Sequence, residues 1–158
     1  MSRPMVKIAT IFLPIMMLAW GTSLGVASNA RAAEDVVKVT VAGKFDKVVT
    51  QLKREITGQK LVIIKEIPFQ KMLRMVGLKT EKMVGFEIFH PRFGKIIYET
   101  DPSAFKDVPL RIVVKAVDNK VSLEYRKPSV VFAPYPGLAK LGQQLDGVFA
   151  AIAASLAK

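Results

Sequence analysis

The stretch "LRIVVKAVDNKVSLEYR", residues 110–126, decides the fold of this chain. Apolar and polar residues alternate on both sides of Asp118-Asn119, two residue types that tolerate the positive φ angles of a tight turn. Alternation with a period of two is typical of a strand with one buried face. The stretch therefore predicts an antiparallel hairpin, with strands over Leu110–Val117 and Lys120–Lys127.

The flanking sequence predicts three more strands and three helices. Short β-branched or alternating runs indicate the strands, and apolar residues that recur every three or four positions indicate the helices. The predicted strands are Val36–Val41, Lys60–Ile67 and Met83–His90, and the predicted helices are Phe45 to just before Gly58, Phe69–Leu78 and Leu138–Ala157. The segment Gly94–Phe105 is predicted to be a loop with one helical turn.

The order of these elements is strand, helix, strand, short helix, three strands and long helix. Strands paired by hairpins, together with two larger helices, indicate an α+β fold. We expect two layers, a mainly antiparallel sheet of about five strands and both main helices packed on one of its faces. Residues 33–158 are expected to form this domain as a single unit.

The first 32 residues have the pattern of a secretory signal peptide. Arg3 and Lys7 precede an almost wholly apolar run over residues 8–26, and Ala30 and Ala32 are the small residues that signal peptidase accepts. We expect cleavage after Ala32 and a periplasmic or secreted protein. The alternative is an uncleaved membrane anchor, because the apolar run is nearly long enough to span a bilayer.

The amino-acid composition excludes several kinds of functional site and indicates a basic domain. The chain has no cysteine, which excludes disulfides, iron–sulfur clusters, thiolate zinc sites and cysteine nucleophiles. Cleavage removes three of the 24 basic residues and none of the 13 acids, so the exported domain carries a net charge of +8. A peripheral contact with an anionic membrane surface is therefore an expectation. Nucleic acid is not an expected partner, because aromatic residues are not interleaved with the lysines as stacking platforms.

Four short motifs follow one another in the second half of the chain. They are Phe89-His90-Pro91 at a turn, Asp107–Arg111 with the sequence Asp-Val-Pro-Leu-Arg, Asp118-Asn119 in the hairpin, and Tyr125–Pro128. In this order they resemble family 302 of the domains of unknown function. The resemblance implies a compact α+β domain, often dimeric, with no established activity and no catalytic residue to carry over. Many members have a histidine just after the second strand, where this chain departs with Ile67-Pro68-Phe69.

His90 is the only histidine and is a candidate catalytic residue. A catalytic histidine needs a partner that fixes its tautomer, and Glu87, Tyr98 and Asp107 are the candidates nearby in the sequence. A weak hydrolase or isomerase that uses His90 is therefore one functional hypothesis. The alternative is that the ring of His90 caps a backbone group at a turn before Pro91.

The leading hypothesis is a non-catalytic envelope protein that binds a small ligand or a protein partner. His90, Arg92, Tyr98 and Arg111 are the candidate ligand-binding residues. The two arginines would favour an anionic group, because guanidinium matches carboxylate and phosphate geometry. We expect no cofactor, and we expect a homodimer formed through a sheet edge or a helix face.

A third hypothesis comes from Met72, Met75 and Met83, which lie within twelve positions of one another. Thioethers are soft ligands that favour Cu(I), so these residues are candidates for copper handling. The alternative is that the methionines fill an irregular part of the core. Met72 lies on the predicted apolar side of the short helix, which favours the alternative.

Overall fold

Five strands form one antiparallel sheet in the computed structural model, which describes residues 35–157. The strands are β1 (Val36–Ala42), β2 (Val62–Ile67), β3 (Met83–Phe89), β4 (Leu110–Val117) and β5 (Lys120–Arg126). Their order across the sheet is β1-β5-β4-β3-β2, so β1 and β2 form the two edges. The predicted α+β fold with a five-stranded antiparallel sheet is confirmed.

The described residues also form five α-helices and two 3₁₀ turns. The helices are α1 (Phe45–Gly58), α2 (Phe69–Met75), α3 (Pro91–Thr100), α4 (Pro128–Val131) and α5 (Ala139–Leu156), and the 3₁₀ turns are Pro102–Asp107 and Pro136–Leu138. Over residues 35–157, none of these helices combines the length and the apolar character needed to cross a membrane.

The predicted hairpin is present as β4 and β5. Asp118 and Asn119 have φ angles of 45° and 62°, and Val117 pairs with Lys120 across the turn. Positive φ at both central residues is the geometry that a two-residue hairpin turn requires. The two turn residues therefore set the register of the central pair of strands.

One face of the sheet, here called the covered face, carries the core. Phe86, Ile112 and Leu123 point from the three central strands into this core and are fully buried. The two long helices α1 and α5 cover this face with apolar side chains, and Gln51 of α1 donates to the backbone carbonyl of Ser155 of α5 at 3.2 Å. Both main helices therefore lie on the same side of the sheet, as predicted.

The opposite face, here called the open face, has no long helix over it within the described residues. The short helix α2 reaches it at one end of β3, where the ring of Phe69 lies 2.6 Å from the position of a Cβ atom on Gly85, and Val131 of the short helix α4 borders it elsewhere. The apolar side predicted for α2 is not buried, which corrects the prediction of core packing there. The physical reason is that α2 has only seven residues and contacts the sheet at its first turn.

The segment predicted as a loop contains the helix α3, and this prediction was wrong. His90 caps the helix and Pro91 occupies its first position, where a proline is favoured. Gly94 is needed for packing. A Cβ atom at Gly94 would lie 2.3 Å from the ring of Phe89. Ile97 follows on the buried side of the same helix.

Candidate functional site

The open face is lined by alternate residues of the central hairpin. The register pairs Val113 with Glu124 and Lys115 with Ser122. Continuing that register by one pair puts Arg111 opposite Arg126 at the end of the hairpin. Because successive side chains point to opposite faces, all the residues of these pairs project away from the core.

Three ion pairs connect neighbouring strands on the open face; the longest joins Lys38 Nζ and Glu124 Oε1 at 3.6 Å, and the other two involve β4. Arg111 Nη2 lies 2.7 Å from Glu87 Oε1, and Lys115 Nζ lies 2.6 Å from Glu124 Oε2. The side chains of Glu87 and Glu124 are only 20% and 22% exposed, so these are not free surface carboxylates. The pairs hold the cationic side chains of β4 in place across the sheet.

Glu124 is the centre of the larger of these clusters. Partial burial alone would raise the pKa of its carboxyl group. Hydrogen bonds from Lys115 and Ser122, together with the charges of Lys115 and Lys38, outweigh that effect, and the pKa of Glu124 lies below its ordinary value. The carboxylate therefore stays ionised at neutral pH and is already committed to its cationic neighbours.

A groove of about 410 Å³ lies over this part of the open face. Its cationic lining consists of Arg111, Lys115 and Arg126, and its two acids are Asp107 and Glu124. Apolar residues complete the lining: Val36, Pro109, Leu110, Val113 and Val131, with Tyr125. Within residues 35–157, the guanidinium of Arg126 has no carboxylate within 4 Å, whereas Arg111 and Lys115 each have one.

The acid at the other end of the groove is also held by a neighbour. The hydroxyl of Tyr135 donates to Asp107 Oδ2 at 2.5 Å, and Tyr135 is almost fully buried. This hydrogen bond, with burial acting in the same direction, raises the pKa of Tyr135 above its ordinary value. Tyr135 therefore remains neutral and fixes the carboxylate of Asp107 at the rim of the groove.

The structure separates the four predicted ligand-binding residues. Arg111 lines the groove on the open face, whereas His90 lines a different cavity with Ile88 on the covered side. Arg92 and Tyr98 are exposed on α3 and line neither of these two cavities. The expectation that the strand ends and the loop after His90 meet at one surface is therefore not met for His90 and Arg111.

His90 serves as the N-terminal cap of α3. Its Nδ1 atom accepts a hydrogen bond from the backbone N–H of Arg92 at 3.1 Å, and its ring lies 4.4 Å from the ring of Phe93. The cavity beside it measures about 20 Å³ and is mainly apolar. No carboxylate is hydrogen-bonded to His90 in the described part of the chain, and its contacts are those of a capping residue.

The three candidate copper ligands lie at the α2 end of the sheet. Met72 and Met75 are exposed on α2, and Met83 is half-buried at the start of β3. The alternative role for Met72 and Met75, filling a gap in the core, is wrong because both side chains face solvent. Residues 35–157 contain no group of three histidine, aspartate or glutamate side chains that could hold a metal ion.

Sequence reasoning identified Arg111 but missed Lys115 and Arg126. The signal was present in the alternation that predicted the hairpin, because Arg111, Lys115 and Arg126 share the polar parity. What the sequence did not indicate is that no long helix covers this polar face within residues 35–157. That depends on where both long helices pack.

Comparison with known proteins agrees with this architecture. A crystal structure titled "uncharacterized conserved protein DUF302 from Bacillus stearothermophilus" has a TM-score of 0.72 over 77% of this chain and 98% of its own, at 16% sequence identity. A search of curated proteins finds no match. The family described as "Domain of unknown function DUF302" matches residues 37–156. The match includes residues of all five strands and both long helices, and the chain belongs to the DUF302 family.

Proposed function

We propose that this protein is an exported, non-catalytic binding protein that takes a small anionic ligand in the groove on the open face. The observation that carries the proposal is the guanidinium of Arg126, which lines the groove with no carboxylate partner within residues 35–157. A planar guanidinium favours a carboxylate or phosphate that can accept two hydrogen bonds.

The size and setting of the groove support a small ligand. Its volume of about 410 Å³ falls within the range of small-molecule sites. Arg111 and Lys115 add positive charge beside Arg126, while the acids Asp107 and Glu124 are engaged by Tyr135 and Lys115. Both carboxylates therefore already accept hydrogen bonds, and the charge of Glu124 is offset by that of Lys115.

The arrangement favours binding over catalysis. General acid–base chemistry needs a titratable group poised near the working pH and within reach of a substrate. Glu124 has a lowered pKa and Tyr135 a raised one, so each keeps its charge state near neutral pH. His90 is engaged as a helix cap, and the groove lies on the opposite face of the sheet.

Export and self-association are part of the same proposal. The predicted signal peptide lies outside the described residues, so its support is the sequence pattern of residues 1–32 alone. The outer edges of β1 and β2 have no strand neighbour in the described region, and such edges are sites where a second copy can pair. Native mass spectrometry of the exported protein gives the cleavage point and the oligomeric state together.

The ligand proposal is tested by titrating the protein with succinate and with inorganic phosphate in a calorimeter. Arg126→Gln should lower the affinity for the more tightly bound of the two anions by about tenfold to a hundredfold. This is the loss expected when a charge-assisted hydrogen-bonded pair is removed. Lys120→Gln is the matched control, because Lys120 lies on the same strand and face but outside the groove.

Two results would overturn the proposal. One is that neither anion binds to the protein and that protein purified from its host carries no small molecule in native mass spectrometry. The other is an equal loss of affinity in the Arg126 and Lys120 variants, because it would show a general charge effect with no contribution from the groove.

A further inference from the structure

The end of α2 carries a concentration of exposed apolar side chains. Met72, Met75, Val76 and Leu78 are 51%, 79%, 73% and 52% exposed. Isolated exposed apolar residues are ordinary, but contiguous exposed apolar surface marks an interaction site. These four lie within the seven positions 72–78. Residues 71–79 are here called the α2 tip.

All the charged residues of the α2 tip are basic. Lys71, Arg74 and Lys79 lie in the α2 tip, which contains no acid, and Glu81 is the first acid that follows it. Within the described part of the chain, none of these three cations has a carboxylate within 4 Å. Exposed apolar side chains with free lysine or arginine among them are the composition of a segment that lies at a lipid interface.

The α2 tip has an ordered backbone. Gly77 adopts a φ of 80°, and its N–H donates to the carbonyl of Arg74 at 3.0 Å while the N–H of Leu78 donates to Leu73 at 3.1 Å. These two hydrogen bonds, with Gly77 at a positive φ, are typical of a helix that ends at a glycine. Gln70 also donates through its side chain to the carbonyl of Thr80 at 3.0 Å. The apolar residues are therefore presented by a pre-formed turn, which lowers the ordering cost of binding.

We propose that the α2 tip docks this protein onto an anionic lipid bilayer. The apolar side chains would enter the headgroup region and the three cations would contact lipid phosphates. Charge complementarity favours a bilayer over a second copy of the chain, because a symmetric contact would bring Lys71, Arg74 and Lys79 against their own counterparts. Each of the four apolar side chains is also at least 51% exposed, so all of them are accessible to a bilayer surface.

The docking surface is independent of the proposed ligand groove. The groove is lined by residues of β1, β4 and β5 and by neighbouring turns, and it includes no residue of the α2 tip. Failure of the anion-binding proposal would therefore leave the docking proposal in place, and the reverse also holds.

The test uses a local probe, because the apolar leader of the full chain could itself hold the protein on a membrane. The chain has no cysteine, so Met75→Cys provides a single site for a polarity-sensitive fluorophore. We expect a blue shift when vesicles of phosphatidylglycerol mixed with phosphatidylcholine are added. Gln144→Cys on α5 is the control site and should show no shift. An equal shift at both sites, or none at Met75, would overturn the proposal.

Two sets of variants separate local docking from general attraction. Replacing Lys71, Arg74 and Lys79 by glutamine should weaken vesicle binding by about fivefold per cation. The charge-matched control replaces three exposed lysines outside the tip by glutamine: Lys47, Lys60 and Lys140. This variant should retain most of the vesicle binding. Val76→Ser combined with Leu78→Ser should weaken binding by about tenfold or more, because apolar burial is lost.

Two further results would contradict the docking proposal. Equal binding to vesicles of pure phosphatidylcholine would contradict the role assigned to the cations. A blue shift produced by a soluble acidic polypeptide, with none produced by vesicles, would assign the α2 tip to a protein partner and overturn the membrane proposal.

Discussion

Two glycines of α5 should respond in opposite directions to the same substitution. A Cβ atom at Gly142 would lie 2.8 Å from Ser129 Cα and 3.3 Å from both Pro128 O and Ser129 N, all backbone atoms of α4. A Cβ atom at Gly147, one and a half turns further along, would have nothing within 4 Å. Gly142→Ala and Gly147→Ala are therefore a matched pair within one helix.

The expected magnitudes follow from two effects. Replacing glycine by alanine inside a helix stabilises it by about 1 kcal/mol, which is the full expectation for Gly147→Ala. At Gly142 the added methyl group must displace backbone, and overpacking of this kind costs about 1–3 kcal/mol. The displacement would also strain the 2.9 Å hydrogen bond from Ser129 N to Asp146 Oδ1 that docks α4 on α5. We expect Gly142→Ala to lower the free energy of unfolding by about 1–2 kcal/mol.

Thermal unfolding followed by circular dichroism measures the difference directly. For a domain of this size, about 1 kcal/mol corresponds to about 4 °C in Tm. The two variants should therefore differ by about 8–12 °C, with Gly147→Ala above the wild type and Gly142→Ala below it. If Gly142→Ala were as stable as Gly147→Ala, α5 would not approach α4 as closely as described, and the reasoning from Cβ distances would be refuted.

Three further predictions concern single side chains. His90→Ala should lower the free energy of unfolding by about 1 kcal/mol in urea titration, and His90→Asn should recover it, because asparagine also caps a helix; equal loss in both would argue against capping. The pKa of Glu124 is lowered from its ordinary 4.5, so its stabilisation is present above that pH and is lost as the pH falls through the folded value. Glu124→Gln should therefore show a smaller acid-induced drop in Tm than the wild type, and identical drops would contradict the ion-pair cluster. Tyr135→Phe removes the donor to Asp107 and should cost about 1–2 kcal/mol at neutral pH. Because the pKa of Tyr135 is raised, the stability advantage of the wild type over Tyr135→Phe should be lost as the pH rises through the pKa of Tyr135 in the folded protein. An advantage that grows with alkaline pH would exclude the assigned hydrogen bond.

Local patterns predicted the sheet well, because its signals lie within a few residues of one another. The alternation around Asp118-Asn119 was sufficient for the hairpin, and the spacing in Phe45–Gly58 was sufficient for α1. The helix α3 was predicted as a loop with one helical turn, and it contains Gly94, a residue of low helix propensity. The requirement for a glycine there comes from Phe89, through a contact between two elements that sequence spacing does not reveal.

The candidate site was predicted less well than the fold. The polar parity of Arg111, Lys115 and Arg126 was readable from the sequence, but the absence of a covering layer within residues 35–157 was not. Most of the alanines in α5 are exposed. The tight contact is made by Gly142 against α4. Such tertiary features decide where a groove can form.

The position of β1 at an edge has a consequence for the order in which the protein folds. β1 lies first in the domain sequence, yet its strand neighbour is β5, which comes after every other strand. Contacts between distant parts of a chain form slowly, because the entropy of closing the intervening loop must be overcome first. The β4–β5 hairpin can form early from local contacts, whereas β1 has no sheet partner until that hairpin is available. A chain that crosses a membrane from its N-terminus would therefore deliver β1 first and complete the sheet only after β5 had emerged.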